Sequence, residues 1–198
     1  EPYQIANWTQ LNNTRKNLGA NFTLINDLNE STAGYDSVAN ETANGGNGFV
    51  PIGNDTASFS GFFNGNKSAI SGLFINRSRS GIDGTGLFGK TTSTATIENV
   101  SLKDVNVTNP SDGTVGGLVG SNAGSIDSSN AAAVITGDGS TGGLVGKNTG
   151  TVTESHAAGT VNNLTVDSYG VGGLVGFNNA GTVNNSYATS NVTGGNQS

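Results

Sequence analysis

The phrase Gly-Gly-Leu-Val-Gly occurs at residues 116–120, 142–146 and 172–176, and a looser form, Gly-Leu-Phe-Gly, precedes it at 86–89. Counted from Leu87, Leu118, Leu144 and Leu174, successive copies lie 31, 26 and 30 residues apart. The residues downstream of each Leu recur too. Ile126 and Val152 stand at the eighth position after it, Ser129 and Ser155 at the eleventh, Ala131 and Ala157 at the thirteenth, Ile135 and Val161 at the seventeenth. In the last copy Asn179 reads as a single insertion, and the series resumes one residue late as Val183, Ser186, Ala188 and Val192. A period of this size restricts the chain to repeat architectures, in which a unit too small to bury its own core stacks on its neighbours.

Within a unit the apolar residues form short alternating runs such as Thr151-Val152-Thr153 and Gly159-Thr160-Val161, broken by Gly and Asn. That is the pattern of strands joined by turns, and no 3.6-residue periodicity competes with it. The simplest stack makes each repeat one turn of a solenoid, with equivalent residues about 4.8 Å apart. Leu118, Leu144 and Leu174 should then form one interior column, and Ile126, Val152 and Val183 another. Glycine suits corners where backbone meets backbone, and small Ser and Ala at the eleventh and thirteenth positions suit a narrow interior.

The Gly-Gly-Leu-Val-Gly blocks followed by Asn-x-Gly-x-Val/Ile-x-x-Ser-x-Ala resemble the GLUG repeat of large bacterial and archaeal surface proteins. The upstream half is similar to the segment that often precedes such repeats, through Tyr3-Gln4-Ile5, residues 22–28, 49–53, 59–66 and 70–73. The resemblance covers nearly the whole chain. It implies a right-handed parallel β-helix and an extracellular or cell-surface setting. It names no activity, since such repeats accompany adhesion and envelope modules and also sit inside larger enzymes.

Composition alone would suggest a disordered chain: 33% hydrophobic residues and 32 Gly among 198 residues. The repeat overrides that reading, because stacked coils need few large apolar residues per turn. A net charge of -6 with 11% charged residues offers neither a nucleic-acid footprint nor a basic membrane patch. No apolar run is long enough to span a membrane, and no leader is present, so on this ground the chain is either cytosolic or already processed; it is the sequons that decide for a processed secreted protein. Cysteine is absent, which removes disulfides. Sequons for N-linked glycans stand at Asn7, Asn12, Asn21, Asn29, Asn40, Asn54, Asn66, Asn76, Asn99, Asn106, Asn163, Asn184, Asn191 and Asn196. As a set they predict a glycoprotein with glycans on its outer faces, although Asn and Ser/Thr are also what β-helix turns favour.

One solenoid domain over residues 1–198 is expected, divided into a cap at 1–20, aromatic-rich coils at 21–85 and repeats at 86–198. A short helix through Leu11 and Arg15 to Leu18, capped by Asn7 or Thr9 and stopped by Gly19, should bury Ile5, Trp8, Leu11 and Leu18 at the end of the stack. Residues 29–48 read as a polar loop, long enough to carry function. Strands are expected at 22–28, 49–52, 58–63 and 69–75. Arg77 and Arg79 fall in a turn, and Pro110 with Asp112-Gly113 marks another.

Chemistry is sparse. His156, the only histidine, matches Asn130 and Tyr187 in the neighbouring repeats, an outward-facing slot, and with no Cys and one His a zinc site is not expected. The carboxylates are scattered, against a glycosidase pair. Asp83 and Asp138 in Asp-Gly turns are weak Ca²⁺ candidates, and the Gly-rich phrases lack the Gly-Lys-Ser/Thr of a phosphate loop. The chain is therefore expected to be a non-enzymatic structural protein with no cofactor beyond glycans, assembling with itself into a filament, sheath or surface layer. The assembly candidates are the extended Glu1, Pro2, Tyr3, Gln4 and Ile5, which could add to an open strand edge, and Tyr187 and Val192 at that edge. The alternative is an adhesin or carbohydrate-binding module of a larger protein, binding surface glycans through residues 29–48 and Tyr35, Tyr169 and Tyr187.

Overall fold

The computed structural model describes residues 1–78, 84–111, 113–165 and 170–194. Its chain winds into a parallel β-solenoid, and one coil shows the plan: Ser125–Asp127, Asn130–Gly137, Ser140–Gly142 and Val145–Asn148 each belong to a different sheet. The first of these sheets runs through the stack as Tyr3–Ile5, Asn21–Leu24, Phe62–Asn64, Thr96–Glu98, Ser125–Asp127, Thr151–Thr153 and Thr182–Asn184, every neighbour parallel.

Register places the repeat positions in columns. Ile97, Ile126, Val152 and Val183 pair in sequence, as do Leu102, Ala131, Ala157 and Ala188 and Val107, Ile135, Val161 and Val192. Leu118 donates its amide to Leu144 O and Leu144 to Leu174 O, each at 3.0 Å. Leu118 and Leu144 are fully buried, and Leu174 packs half-buried against the same core. The Asn179 insertion is absorbed in the turn between Asn178 and Thr182, since Thr151 still pairs with Thr182.

The repeated phrase has a steric cause. A Cβ on Gly142 would lie 2.1 Å from Val145 O, and one on Gly146 would lie 2.5 Å from Val115 N. The first and last glycines thus let the chain double back between two sheets with no side chain in the way. The middle glycine, Gly143, faces the Ala157 methyl, which a Cβ would approach to 2.9 Å. The Gly of the phrase and the Ala thirteen residues after its Leu are therefore two halves of one contact.

Two polar ladders occupy the corners. Asn122 Nδ2 donates to Asn148 Oδ1 and Asn148 Nδ2 to Asn178 Oδ1, each at 2.9 Å. Thr91 begins this ladder by donating to Asn122 Oδ1 at 2.8 Å. At the next corner Ser129, Ser155 and Ser186 donate to the carbonyls of Asp127, Thr153 and Asn184. Each serine also accepts an amide from the coil before it, those of Val100, Ser129 and Ser155. Buried polar groups cost little when paired this way.

The N-terminal end is closed by the helix Trp8–Asn13, whose Asn7 cap accepts from Gln10 N at 2.9 Å. The helix stops earlier than the expected Leu18. Asn12, Asn13 and Thr14 are poor interior residues that compete for backbone partners, and Thr14 Oγ1 bonds Leu11 O at 2.8 Å as the chain tightens into the 3₁₀ turn Thr14–Lys16. Residues 29–48 are not an open loop. They fold into the turns Tyr35–Val38 and Ala43–Gly46, bury Val38, Ala39 and Ala43, and set Tyr35 against Trp8 with ring centroids 5.7 Å apart. The early strands are shorter than expected: Ile52 makes only a bridge to Phe88, and Gly72, with φ of +74°, splits Ala69–Ser71 from Phe74–Asn76. Phe59, Phe63 and Phe88 fill this half, with centroids 5.0 and 5.2 Å apart.

Candidate functional site: a cleft at the folded loop and the outer faces

Residues 29–48 lie against the long-strand sheet and leave a cleft of about 450 Å³ lined by Glu30, Tyr35, Glu41, Phe74, Asp104 and Asn106, among others. Each wall has a structural origin. The strand Ser101–Asn109 carries a bulge where Leu102 and Val105 face consecutive inward alanines of the next coil, and Asp104 sits in it at φ of +51°. Bulges of this kind re-aim a side chain. Tyr35 is fixed by its hydroxyl, which donates to Gly72 O at 2.9 Å. Burial, and then the nearby charges of Glu30, Asp36 and Glu41, push the Tyr35 phenol above its ordinary range. The cleft combines two aromatic rings, amides and three carboxylates, with no basic residue in its lining.

Other candidates fall elsewhere. His156 lies outside the core, stacked on Tyr187 with centroids 5.1 Å apart and planes within 4°, in the column that begins with Asn130. Asp138 Oδ1 is buried without a partner. Arg77 reaches Phe49 O at 2.6 Å, so it secures a turn. Asp83, Arg79, Asp112, Tyr169 and Asn196 lie outside the described residues.

The assembly candidates separate into two kinds. Tyr3, Gln4 and Ile5 already pair with Phe22, Thr23 and Leu24, so this segment, which Glu1 and Pro2 precede, is the first strand of its sheet among the described residues. Tyr3, 58% exposed, stacks on Phe22. At the other end Tyr187 and Val192 are 58% and 46% exposed on the coil at 170–194.

The sequons are not equivalent. Asn21, Asn29, Asn54, Asn66, Asn106, Asn184 and Asn191 are exposed, while Asn7, Asn12, Asn40, Asn76 and Asn99 are half-buried. Asn163 is the exception to outward placement. It is 4% exposed, and its Nδ2 is spent on Gly139 O at 2.9 Å and Thr141 Oγ1 at 3.2 Å. Sequence reasoning missed this because Asn163 takes a corner role like that of Asn109, whose Nδ2 bonds Thr85 Oγ1. The pairing of Asn163 with Gly137, and of Gly137 with Asn109, is the signal that alignment of the repeats would have given.

Residues 167–193 match the GLUG motif. Over 80 residues the chain is 36% identical to Halomucin of Haloquadratum walsbyi, a match that spans 40% of this chain and 1% of that protein. A solved chain from Bacteroides ovatus, provisionally described as an immunoglobulin A1 protease, aligns with a TM-score of 0.49 and 20% identity, over 98% of this chain and 68% of that one. Residues 167–193 thus carry one GLUG motif, and the chain spans 1% of the length of the Halomucin it matches and 68% of that of the solved chain.

Proposed function

We propose that the chain is a non-enzymatic structural segment of a glycosylated extracellular protein, which works as a stiff rod and extends by stacking. The observation that supports this most is the continuity of its ladders. The apolar columns, the Asn ladder and the Ser ladder repeat from coil to coil with the same partners. The coil at 170–194 presents Val183, Tyr187 and Val192 at 39, 58 and 46% exposure. A further coil stacked there and supplied by a second copy of the chain would extend the ladders into a filament or sheath. Negative-stain microscopy and sedimentation velocity over a hundredfold concentration range test this. Elongated particles that lengthen with concentration are expected; a monomer throughout refutes assembly. Among the described residues no helix is long and apolar enough to cross a membrane.

The cleft favours a second reading, a carbohydrate-binding module. Aromatic rings flanked by amides and carboxylates are what sugars need, and the cleft is built from the two places where the regular stack is interrupted, the folded loop and the Asp104 bulge. Glycan-array binding that is lost in Y35A would establish it.

A further inference from the structure

We propose that in the folded chain Asn29 is the principal acceptor of an N-linked glycan, with Asn54 second, and that Asn40 and Asn163 are refused. The inference rests on the glycoprotein reading and says which side chains carry it out. Transfer joins Asn Nδ2 to the anomeric carbon of a lipid-phosphate-linked oligosaccharide. The carbon–oxygen bond to phosphate breaks, the phosphate leaves with the bonding pair, and the amide proton passes to a base of the transferase. The amide nitrogen is a poor nucleophile, because its lone pair is delocalised into the carbonyl. A hydroxyl donating to Oδ1 from the residue two positions on, with the chain bent to bring it there, makes the amide N–H more acidic and so eases loss of its proton to that base, which frees the nitrogen lone pair for attack. The site must also be exposed, with Nδ2 not already bonded.

Asn29 meets every condition. It is exposed, and its Oδ1 accepts from Ser31 N at 2.9 Å and from Ser31 Oγ at 2.7 Å. Its Nδ2 makes no hydrogen bond, while its carbonyl is anchored by the buried Trp8 indole at 2.9 Å. Asn54 makes a similar turn, accepting from Thr56 N at 3.0 Å and Ala57 N at 2.8 Å, but without the hydroxyl. Asn40 has the full turn, with Thr42 N and Thr42 Oγ1 each 3.0 Å from its Oδ1, yet its Nδ2 is held by Asp36 at 3.0 Å. Asn163 is buried with Nδ2 doubly bonded. Asn21, Asn106, Asn184 and Asn191 are exposed but lie in strands, where ladder hydrogen bonds hold the chain extended and oppose the bend; Thr108 Oγ1 reaches Asn106 Oδ1 only at 3.5 Å, against 2.7 Å for Ser31 at Asn29.

The test is glycopeptide mass spectrometry of the intact chain after incubation, folded or in urea followed by dilution, with an oligosaccharyltransferase and its lipid-linked oligosaccharide. In the folded chain Asn29 should be modified at least tenfold faster than Asn40, Asn106 or Asn191, with Asn163 blank. In the unfolded chain the differences should shrink. Asp36→Ala, an exposed change, frees Asn40 Nδ2 and should raise its modification towards that of Asn29. Modification of folded Asn163, strand sites as fast as Asn29, or no effect of Asp36→Ala would overturn the assignment while leaving a glycoprotein. No modification at any sequon, folded or unfolded, would overturn both.

Discussion

Replacing Asn148 by alanine probes the ladder on which the corner depends. Asn148 is fully buried. Its Oδ1 accepts from Asn122 Nδ2 at 2.9 Å and from Gly150 N at 3.3 Å, and its Nδ2 donates to Asn178 Oδ1 at 2.9 Å. Alanine removes these three together with the longer Nδ2 contacts to Gly150 O and Thr182 O at 3.3 and 3.4 Å, and leaves the half-buried Gly150 N–H without this partner. At about 1 kcal/mol for each of the three main hydrogen bonds, the loss should be about 3 kcal/mol. Asn178 is the control, because it is exposed and water can replace its partners. Asn178→Ala should cost less than about 1 kcal/mol. Urea denaturation followed by circular dichroism gives both values as midpoint shifts, provided the slopes agree. If the two variants are equally stable, or Asn148→Ala lies within about 0.5 kcal/mol of the parent chain, the ladder is not a source of stability and the reasoning fails.

Three further outcomes are expected. Gly146→Ala puts a Cβ 2.5 Å from Val115 N and 2.7 Å from Gly120 O. Neither is a flexible side-chain end, so a loss of about 3 kcal/mol is expected, whereas Gly194→Ala, with nothing within 4 Å, should be neutral in the same thermal melts. Glu154 holds φ of +50° at a corner where Asn99 and Asn185 hold +54° and +48°; Glu154→Asn should therefore stabilise by about 0.5 kcal/mol in urea titrations, and a clear loss would contradict the strain argument. For Tyr35, the folded phenol ionises above the reference value of 10.0. The protonated native form is thus favoured, and its contribution is complete below about pH 10 and is lost as pH rises through the folded value. Stability of the parent chain should fall more steeply than that of Tyr35→Phe from about pH 10 upward, and parallel curves would refute the assignment.

The solenoid was legible because its evidence is periodic. Leu118, Ile126, Ala131 and Ile135 recur with matched chemistry, and matched chemistry at one period can only mean stacked positions. Local competition was harder to read. The helix that should have reached Leu18 stops at Asn13 because Thr14 takes the Leu11 carbonyl, an interaction with no pattern along the chain. Residues 29–48 look polar and loop-like, yet Val38, Ala39 and Ala43 are enough to fold them over Trp8. The cleft was only half visible, since Tyr35 and its segment stood out but Asp104 did not. Its position depends on a bulge, and a bulge is a property of two paired strands rather than of one. Sequons showed the same limit: the triplet at Asn163 reads like that at Asn29, and only the fold tells an amide serving as a rung from one left free.

This division explains how a chain so poor in large apolar residues can still be ordered. Side chains of Asn and Ser, which in an isolated turn would prefer water, are here bonded to the same residue type one coil away. Adding a coil therefore extends each ladder, while the last Asn rung among the described residues, Asn178 Nδ2, bonds a local carbonyl alone, Gly181 O at 2.8 Å. The energetics favour long stacks over short ones, because only interior rungs are bonded on both sides. A sequence of this composition gains order by repeating itself, and the aromatic cluster of Phe59, Phe63 and Phe88 fills the coils that precede the Asn ladder, which begins at Thr91.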